Sequence, residues 1–274
     1  MYPIEDMGLL KIDLLGQRSL SVIADVCSQV RTERDPAFDL TRVPLEEDGP
    51  TLDRMEAGRT MGVFQVESPG MRGILRRVRA RDFETVTAAS SVIRPGPKDS
   101  GMLRSWVRRH RGLEPTRYLH PRLREILSET HGIMVYQEDV MKIVHHFSGL
   151  DLDESDVLRR IMTGKKKSSD TFYRLQEKYF RNCKERGYPE ELSKEVWRQI
   201  ESFSGYSFCK AHSASFAAES FQSLYLKTYF PLEFMTAVIN NFGGFYSTEQ
   251  YVHEARMCGA KIEAPCVNNS TYLT

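Results

Sequence analysis

No run of about 18 consecutive apolar residues occurs in this sequence, so we expect no membrane-spanning helix. No basic stretch followed by an apolar one stands near Met1, so we expect no secretory signal. The five cysteines are widely spaced and include no Cys-x-x-Cys pair. This spacing disfavours a zinc site and a disulfide framework, and it is typical of free thiols in a reducing cytoplasm.

The chain has 274 residues, of which 41% are hydrophobic and 27% are charged, as in an ordinary globular protein. Most apolar residues recur at helical spacing, and short strands are predicted at Lys11–Leu15, Met61–Gln65 and Ala260–Ala264. The predicted fold class is therefore mainly α with short β segments (α+β). The helices are expected at about 19–30, 52–57, 69–80, 82–92, 100–111, 121–129, 137–147, 153–163, 168–187, 189–203, 213–229, 231–241 and 247–258.

The net charge of +1 hides a strongly basic block at residues 72–111, which holds 11 Arg or Lys against three acids. A concentrated positive field favours a polyanionic partner such as DNA. A solvated, arginine-rich helix face is the alternative. The candidate DNA-binding residues are Arg76, Arg77, Arg104, Arg108 and Arg109.

A second cationic feature is the segment Leu158-Arg-Arg-Ile-Met-Thr-Gly-Lys-Lys-Lys167, in which two arginines end a helix and lysines follow a glycine. Arg offers a planar fork to phosphate oxygens, and Lys offers a mobile point charge. Arg159, Arg160, Lys165 and Lys166 are therefore candidates for a triphosphate site. Cations favoured by the dipole of a helix C-terminus are the alternative.

A third feature is Gly205-Tyr-Ser-Phe-Cys-Lys-Ala-His-Ser213, which stands where an apolar helical pattern begins. Backbone N–H groups at a helix start attract anions, and Lys210 and His212 would add donors beside them. A capped helix with solvated side chains is the alternative. Two shorter segments complete the set: the stiff turn Ile93-Arg-Pro-Gly-Pro97, which fixes the position of Arg94, and the predicted strand that carries Lys11 and Asp13.

These blocks, in this order along the chain, resemble those of the bacterial C-family DNA polymerases. The Gly205–Ser213 segment is similar to the family's Gly-Tyr-x-Phe-x-Lys-x-His-Ser block, and Asp156–Lys166 is similar to its Asp-x-Leu-Arg-Arg block. Ile93–Pro97 resembles the Arg-Pro-Gly-Pro loop. Gly62–Ser68 and Gly132–Glu138 are further matches, which we interpret as scaffold rather than site. Thr163 and Gly164 stand where the family is usually one residue shorter.

The resemblance implies a fold and a function. Residues 1–20 would be the C-terminal part of the palm, 21–246 the helical fingers, and 247–274 the end of the fingers, a helix and then a strand. Asp13 would be the catalytic, metal-binding carboxylate of a two-Mg²⁺ site, with the family's Pro-Asp-x-Asp motif absent from this chain. The nucleotide-binding residues would be Lys11, Arg94, Arg159, Arg160, Lys165, Lys166, Lys210, His212 and Ser213.

The implied function is template-directed DNA synthesis, with the fingers binding deoxynucleoside triphosphate and primed DNA. Further partners would be the remainder of the polymerase and replisome subunits. We expect no membrane partner. Because this chain contains one of three expected carboxylates, we expect it to be inactive alone. Two alternatives are a non-catalytic DNA-binding module and a helical nucleotide-binding regulator. Asp151 and Asp153, although spaced as Asp-x-Asp, are expected to cap a helix.

Overall fold

The computed structural model describes residues 7–10, 12, 14, 16–93, 101–163, 170–204, 209–271 and 273. Within these ranges the chain is helical. The helices are α1 (Arg18–Glu33), α2 (Gly49–Glu56), α3 (Pro69–Val78), α4 (Phe83–Val92), α5 (Met102–His110), α6 (Pro121–Leu127), α7 (Gln137–Ile143), α8 (Leu152–Thr163), α9 (Asp170–Glu185), α10 (Glu190–Ser204), α11 (Lys210–Tyr229), α12 (Pro231–Asn240) and α13 (Thr248–Met257). A 3₁₀ turn spans Leu40–Arg42, and a π-helical turn spans Val144–Ser148.

None of the helices in the described ranges is both long and apolar enough to cross a bilayer. All five cysteines are free thiols, and Cys27 and Cys183 are buried. The predicted helices agree with the observed ones to within a few residues at each end, because the apolar spacing and the capping residues mark the same boundaries.

The backbone divides into two compact units, one formed by Met1–Arg42 with Tyr229–Thr274 and the other by Val43–Thr228. In the first unit, α12 packs against both α1 and α13. Arg34 Nη2 forms an ion pair with Glu233 Oε1 of α12 at 2.6 Å. The rings of Phe38 and Phe230 meet edge to face with centres 5.3 Å apart. The palm and fingers boundaries given above stay a prediction.

The second unit holds every described candidate residue of the predicted sites. One apolar cluster lies among α6, α7, the π turn, α8, α9 and α10, and includes Phe147, Leu158, Tyr179 and Trp197. The side chains of Asp48, Ser68 and Asp82 accept hydrogen bonds from the backbone N–H of the third residue of α2, α3 and α4, respectively. Side-chain caps therefore mark the starts of these helices, and the capping residue types can be recognised in the sequence.

The predicted β segments are wrong where the structure describes them. Met61–Gln65 forms successive turns instead, since Gly62 and Gln65 have φ of +78° and +62°, in the left-handed region. The Glu67 carboxylate accepts the Gly62 N–H at 2.9 Å, and α11 donates to Met61 O from Lys227 Nζ at 2.6 Å and to Phe64 O from Ser220 Oγ at 3.0 Å. Backbone groups that a strand would pair are thus bonded within the turn or to α11 side chains.

The other two expected strands are also not observed among the described residues. Ala260–Ala264 is mostly exposed and irregular, and no neighbouring segment pairs with it. Lys11, Asp13 and Leu15 of the first expected strand lie outside the described residues. A short segment of suitable composition forms a strand only when another strand pairs with it. No partner strand is present among the described residues, so these segments stay irregular where they are described.

Candidate nucleotide and nucleic-acid interface

Arg159 and Arg160 lie in the second half of α8 and share the carboxylate of Asp156. Arg159 donates to Asp156 Oδ1 from Nε at 2.9 Å and from Nη2 at 2.7 Å, and Arg160 Nη2 lies 2.7 Å from Oδ2. Spacings of three and four residues place all three side chains on one helix face. The hydrogen bonds from Arg159 lower the pKa of Asp156 below its usual value. Asp156 is therefore ionised at neutral pH and offsets one of the two positive charges.

The two arginines differ in their surroundings. Arg159 is 21% exposed, and its Nη1 also donates to Gln137 Oε1 of α7 at 2.8 Å. Arg160 is 72% exposed. Arg159 is thus oriented by two neighbouring side chains, whereas most of Arg160 is open to solvent.

The start of α11 already holds a carboxylate. The Lys210 backbone N–H donates to Glu138 Oε2 at 3.0 Å, and the Cys209 thiol lies 3.4 Å from Glu138 Oε1. Lys210 Nζ lies 2.7 Å from Glu129 and 5.4 Å from the centre of the Tyr136 ring. An acidic side chain thus occupies the helix N-terminus, a position that favours a negative charge.

The first turn of α7 connects these two cationic elements. Gln137 bonds to Arg159, and the next residue, Glu138, bonds to the start of α11. The turn is itself fixed by Asp139, whose Oδ2 accepts the N–H groups of Val135 and Tyr136 at 2.9 Å each. Burial raises the pKa of Asp139 to about 6. The segment predicted as scaffold therefore holds two candidate nucleotide-binding elements against one helix turn.

His212 and Ser213 point to different surroundings. His212 is exposed, and its ring lies 4.1 Å from that of Phe216, which in turn meets Phe64 edge to face at 5.0 Å. Ser213 is buried, and its Oγ lies 2.6 Å from Ser91 Oγ in α4. Because Ser91 donates to Thr87 O, Ser213 is the donor between the two hydroxyls. In this structure Ser213 attaches α11 to α4.

The basic block contains more neutralised charge than its sequence suggests. Arg81 pairs with Asp53 and Glu56, and both Arg108 and Arg109 lie within 3.4 Å of Glu114. These acids lie outside residues 72–111, so the excess of eight positive charges in the segment overstates the local field. The exposed Arg76, Arg77 and Arg104 have no carboxylate within ion-pair distance among the described residues.

The C-terminal ends of α3 and α5 lie side by side, with Arg76 and Arg77 on α3 and Arg108 and Arg109 on α5, whereas Arg104 lies in the first turn of α5. Arg111 Nη1 donates to Arg77 O at 2.8 Å, and His110 Nε2 lies 3.1 Å from Val78 O. His110 Nδ1 is also 3.2 Å from His131 Nε2. Burial, with the neighbouring charges of His110 and Arg109, lowers the pKa of His131. This end of the two helices is therefore a cationic surface, and within it His131 is favoured in its neutral form.

Residues 19–187 match the bacterial DNA polymerase III alpha subunit finger domain. Across nearly the whole chain, identity is 37% with the DNA polymerase III subunit alpha of Thermus aquaticus, 34% with that of Aquifex aeolicus and 34% with that of Bacillus subtilis. The chain belongs to the bacterial DNA polymerase III alpha subunit family. These matches include 98–99% of this chain, but the chain spans only 22–24% of the length of those relatives.

The finger-domain match of this polymerase III alpha family member includes Arg159 and Arg160 and the whole basic block, whereas Lys210 and His212 follow it. Lys11, Asp13, Arg94, Lys165 and Lys166 lie outside the described residues. No three His, Cys, Asp or Glu side chains come together to hold a metal ion within the part of the chain that is described. Asp151, in contrast, accepts the Glu154 N–H at 2.7 Å and caps α8, as predicted.

Sequence reasoning missed the carboxylate and amide partners of the predicted cationic elements. Asp156 was detectable, since it stands three and four residues before the two arginines. Gln137, Glu138 and Glu129 were not, because they are 22, 72 and 81 residues distant from the cations they contact. Only the packing of α7 against α8 and the start of α11 brings them together.

Proposed function

We propose that this chain is the fingers segment of a DNA-directed DNA polymerase and that α8 and the start of α11 bind the triphosphate of an incoming deoxynucleotide. The observation that carries the proposal is the contact of consecutive residues of α7, Gln137 and Glu138, with Arg159 and with the N-terminus of α11. One rigid turn thereby orients two cationic elements that are about 50 residues apart in sequence.

The carboxylates that now hold the cations would be exchanged for phosphate oxygens on binding. Arg160 and Lys210 supply the contacts, because both head groups reach solvent and pair with partly exposed acids. Arg159 and Ser213 act by position: Arg159 fixes the register of α8 on α7, and Ser213 fixes α11 on α4. His212 extends the site on the exposed face of α11, with Arg94, Lys165, Lys166 and Lys11 as further phosphate or sugar contacts.

We further propose that the cationic ends of α3 and α5 contact the phosphates of primed DNA. Arg76, Arg77 and Arg104 contribute most to this contact, since Arg108 and Arg109 share Glu114. Binding by phosphate contacts is independent of sequence and weakens as salt rises.

In this proposal Asp13 is the one residue of the chain that binds magnesium, and other parts of the polymerase supply the remaining carboxylates of the site. Two-metal phosphoryl transfer needs several shared carboxylates. The relatives are about four times as long as this chain. The further partners in this proposal are the remainder of the polymerase chain and, as separate proteins, replisome subunits. The free thiols suit a protein of the reducing cytoplasm.

Calorimetric titration of the full chain with dATP, and separately with primed DNA, tests the proposal. We expect measurable binding of both and no primer extension above a no-protein control. Arg160→Ala should weaken dATP binding about tenfold or more and leave DNA binding unchanged. Loss of DNA binding with unchanged dATP binding would place α8 on the template side instead. Absence of dATP binding by the folded chain would contradict the triphosphate site.

A further inference from the structure

A cleft of about 580 Å³ lies at the hairpin between α9 and α10. It is lined by Phe180, Arg181, Lys184, Tyr188, Glu190 and Lys194. None of these residues belongs to the proposed triphosphate site or to the basic block. Cavities of about 300–1,000 Å³ are of the size that binds small ligands and cofactors.

The lining has three cations against one acid. Glu190 pairs with Lys194 at 2.6 Å, and Lys194 is the main cause of the lowered pKa of Glu190. Arg181 and Lys184 stand three residues apart on the exposed face of α9. Neither has a carboxylate within ion-pair distance among the described residues. Neither cation is ion-paired within the described ranges, although the charge of Lys184 also helps to lower the pKa of Glu190. With three cations and one acid, the lining has a net positive charge that favours an anion.

The aromatic side chains of the cleft pack against other rings. Tyr188 stacks on Phe147 with ring centres 4.5 Å apart and planes 17° apart, and His120 meets it at 4.9 Å. Phe180 packs beside the buried Trp197 at 5.8 Å. Both rings are only half-buried, so part of each borders the cleft. Fixed aromatic surface beside unpaired cations is the combination that binds a nucleobase together with its phosphate.

We propose that this cleft binds one nucleoside phosphate unit, with the base against Phe180 and Tyr188 and the phosphate between Arg181 and Lys184. The unit comes either from an unpaired nucleic-acid strand or from a free nucleotide, since both present the same base and phosphate. The site is separate from the proposed triphosphate site, so either can fail without the other. Glu190 opposes the phosphate and forms an ion pair with Lys194.

Neutralising Glu190 gives a test that loss of folding cannot imitate. Binding of a 5′-fluorescein dT₁₂ strand to the full chain is measured by anisotropy for Glu190→Gln. Removal of one negative charge about 6 Å from a phosphate should tighten binding about threefold. Glu191→Gln is the matched control, because Glu191 is the next residue in the first turn of α10 and does not line the cleft. Equal affinities for the two variants would overturn the proposal.

Charge reversal tests the same contact in the other direction. Arg181→Glu/Lys184→Glu should weaken dT₁₂ binding at least tenfold. Arg117→Glu/Arg174→Glu reverses two exposed charges outside the cleft and should have a much smaller effect. Circular dichroism confirms that each variant remains helical. If both double variants lose affinity equally, the effect is general charge and the proposal fails.

A cross-link and a competitor identify the position and the source of the ligand. A dT₁₂ strand with one 4-thiothymidine should, on irradiation, label the peptide that contains Phe180 or Tyr188. Labelling confined to other peptides would contradict the site. Competition by dTMP at concentrations near its own affinity would assign the cleft to free nucleotides, and resistance to dTMP would assign it to an unpaired strand. Arg160→Ala should leave this cross-link unchanged, which separates the cleft from the triphosphate site.

Discussion

Replacing Asp156 by Asn should lower stability and raise triphosphate affinity at the same time. The carboxylate receives two hydrogen bonds from Arg159 and an ion pair from Arg160, all between 2.7 and 2.9 Å. The three groups range from 21% to 72% exposed, so each contact is worth a few tenths of a kcal/mol to about 1 kcal/mol. The variant should therefore lose about 1–1.5 kcal/mol of unfolding free energy.

The same change should strengthen the binding of dATP. One negative charge about 6 Å from a phosphate in water opposes it by roughly 0.7 kcal/mol, which is about a threefold effect on affinity. Because a triphosphate carries several charges, we expect dATP to bind three- to tenfold more tightly to Asp156→Asn, at about these magnitudes. Calorimetric titration measures the affinity. Thermal unfolding should show a melting temperature lower by about 2–6 °C.

Glu195→Gln is the matched control. Glu195 receives two hydrogen bonds of 2.7 Å from Arg198 and one of 3.0 Å from Gln199 on the surface of α10. Its neutralisation should lower stability by a similar amount and leave dATP affinity unchanged. If Asp156→Asn weakens dATP binding or leaves it unchanged while the protein remains folded, Arg160 does not contact the triphosphate.

Three further predictions concern single contacts. Ser213→Ala should lower the unfolding free energy by about 1 kcal/mol and leave dATP affinity unchanged, and the reverse result would make Ser213 a direct ligand contact. Since the folded state raises the pKa of Asp139 to about 6, it holds that proton more tightly than the unfolded chain does. The stability of the wild type relative to Asp139→Asn should therefore fall as pH rises from 4 through about 6 in urea unfolding, and a difference that rises with pH would refute this. Arg76→Gln/Arg77→Gln should reduce the salt slope of DNA binding by about 1.8, whereas Arg81→Gln, already paired, should change it little.

The helices could be predicted from sequence because their signals are local. Asp82 before α4 and Ser68 before α3 mark helix starts, and the observed boundaries follow them. The strand predicted at Met61–Gln65 failed because its backbone groups are bonded by residues far away, such as Lys227 and Ser220. Nothing in the five residues themselves indicates those partners.

The cations of the candidate site could be predicted from the sequence, but the side chains that pair with them could not. Arg159, Arg160 and Lys210 stand out by charge and by motif. Their acidic partners reverse part of the expected electrostatics, and Glu138 reaches α11 only through the tertiary packing of α7. The same limit applies to the basic block, where Glu114 and Asp53 neutralise arginines that a linear count of charge leaves unopposed.

A double-mutant cycle on dATP affinity with Arg160→Ala and Lys210→Ala tests most directly whether α8 and α11 form one triphosphate site. We predict that each substitution weakens binding about tenfold or more, that the double variant shows no measurable binding, and that Arg117→Ala/Arg174→Ala, at exposed positions elsewhere, has little effect. Normal dATP affinity in either single variant, with the helical content of the wild type retained, would contradict the shared site.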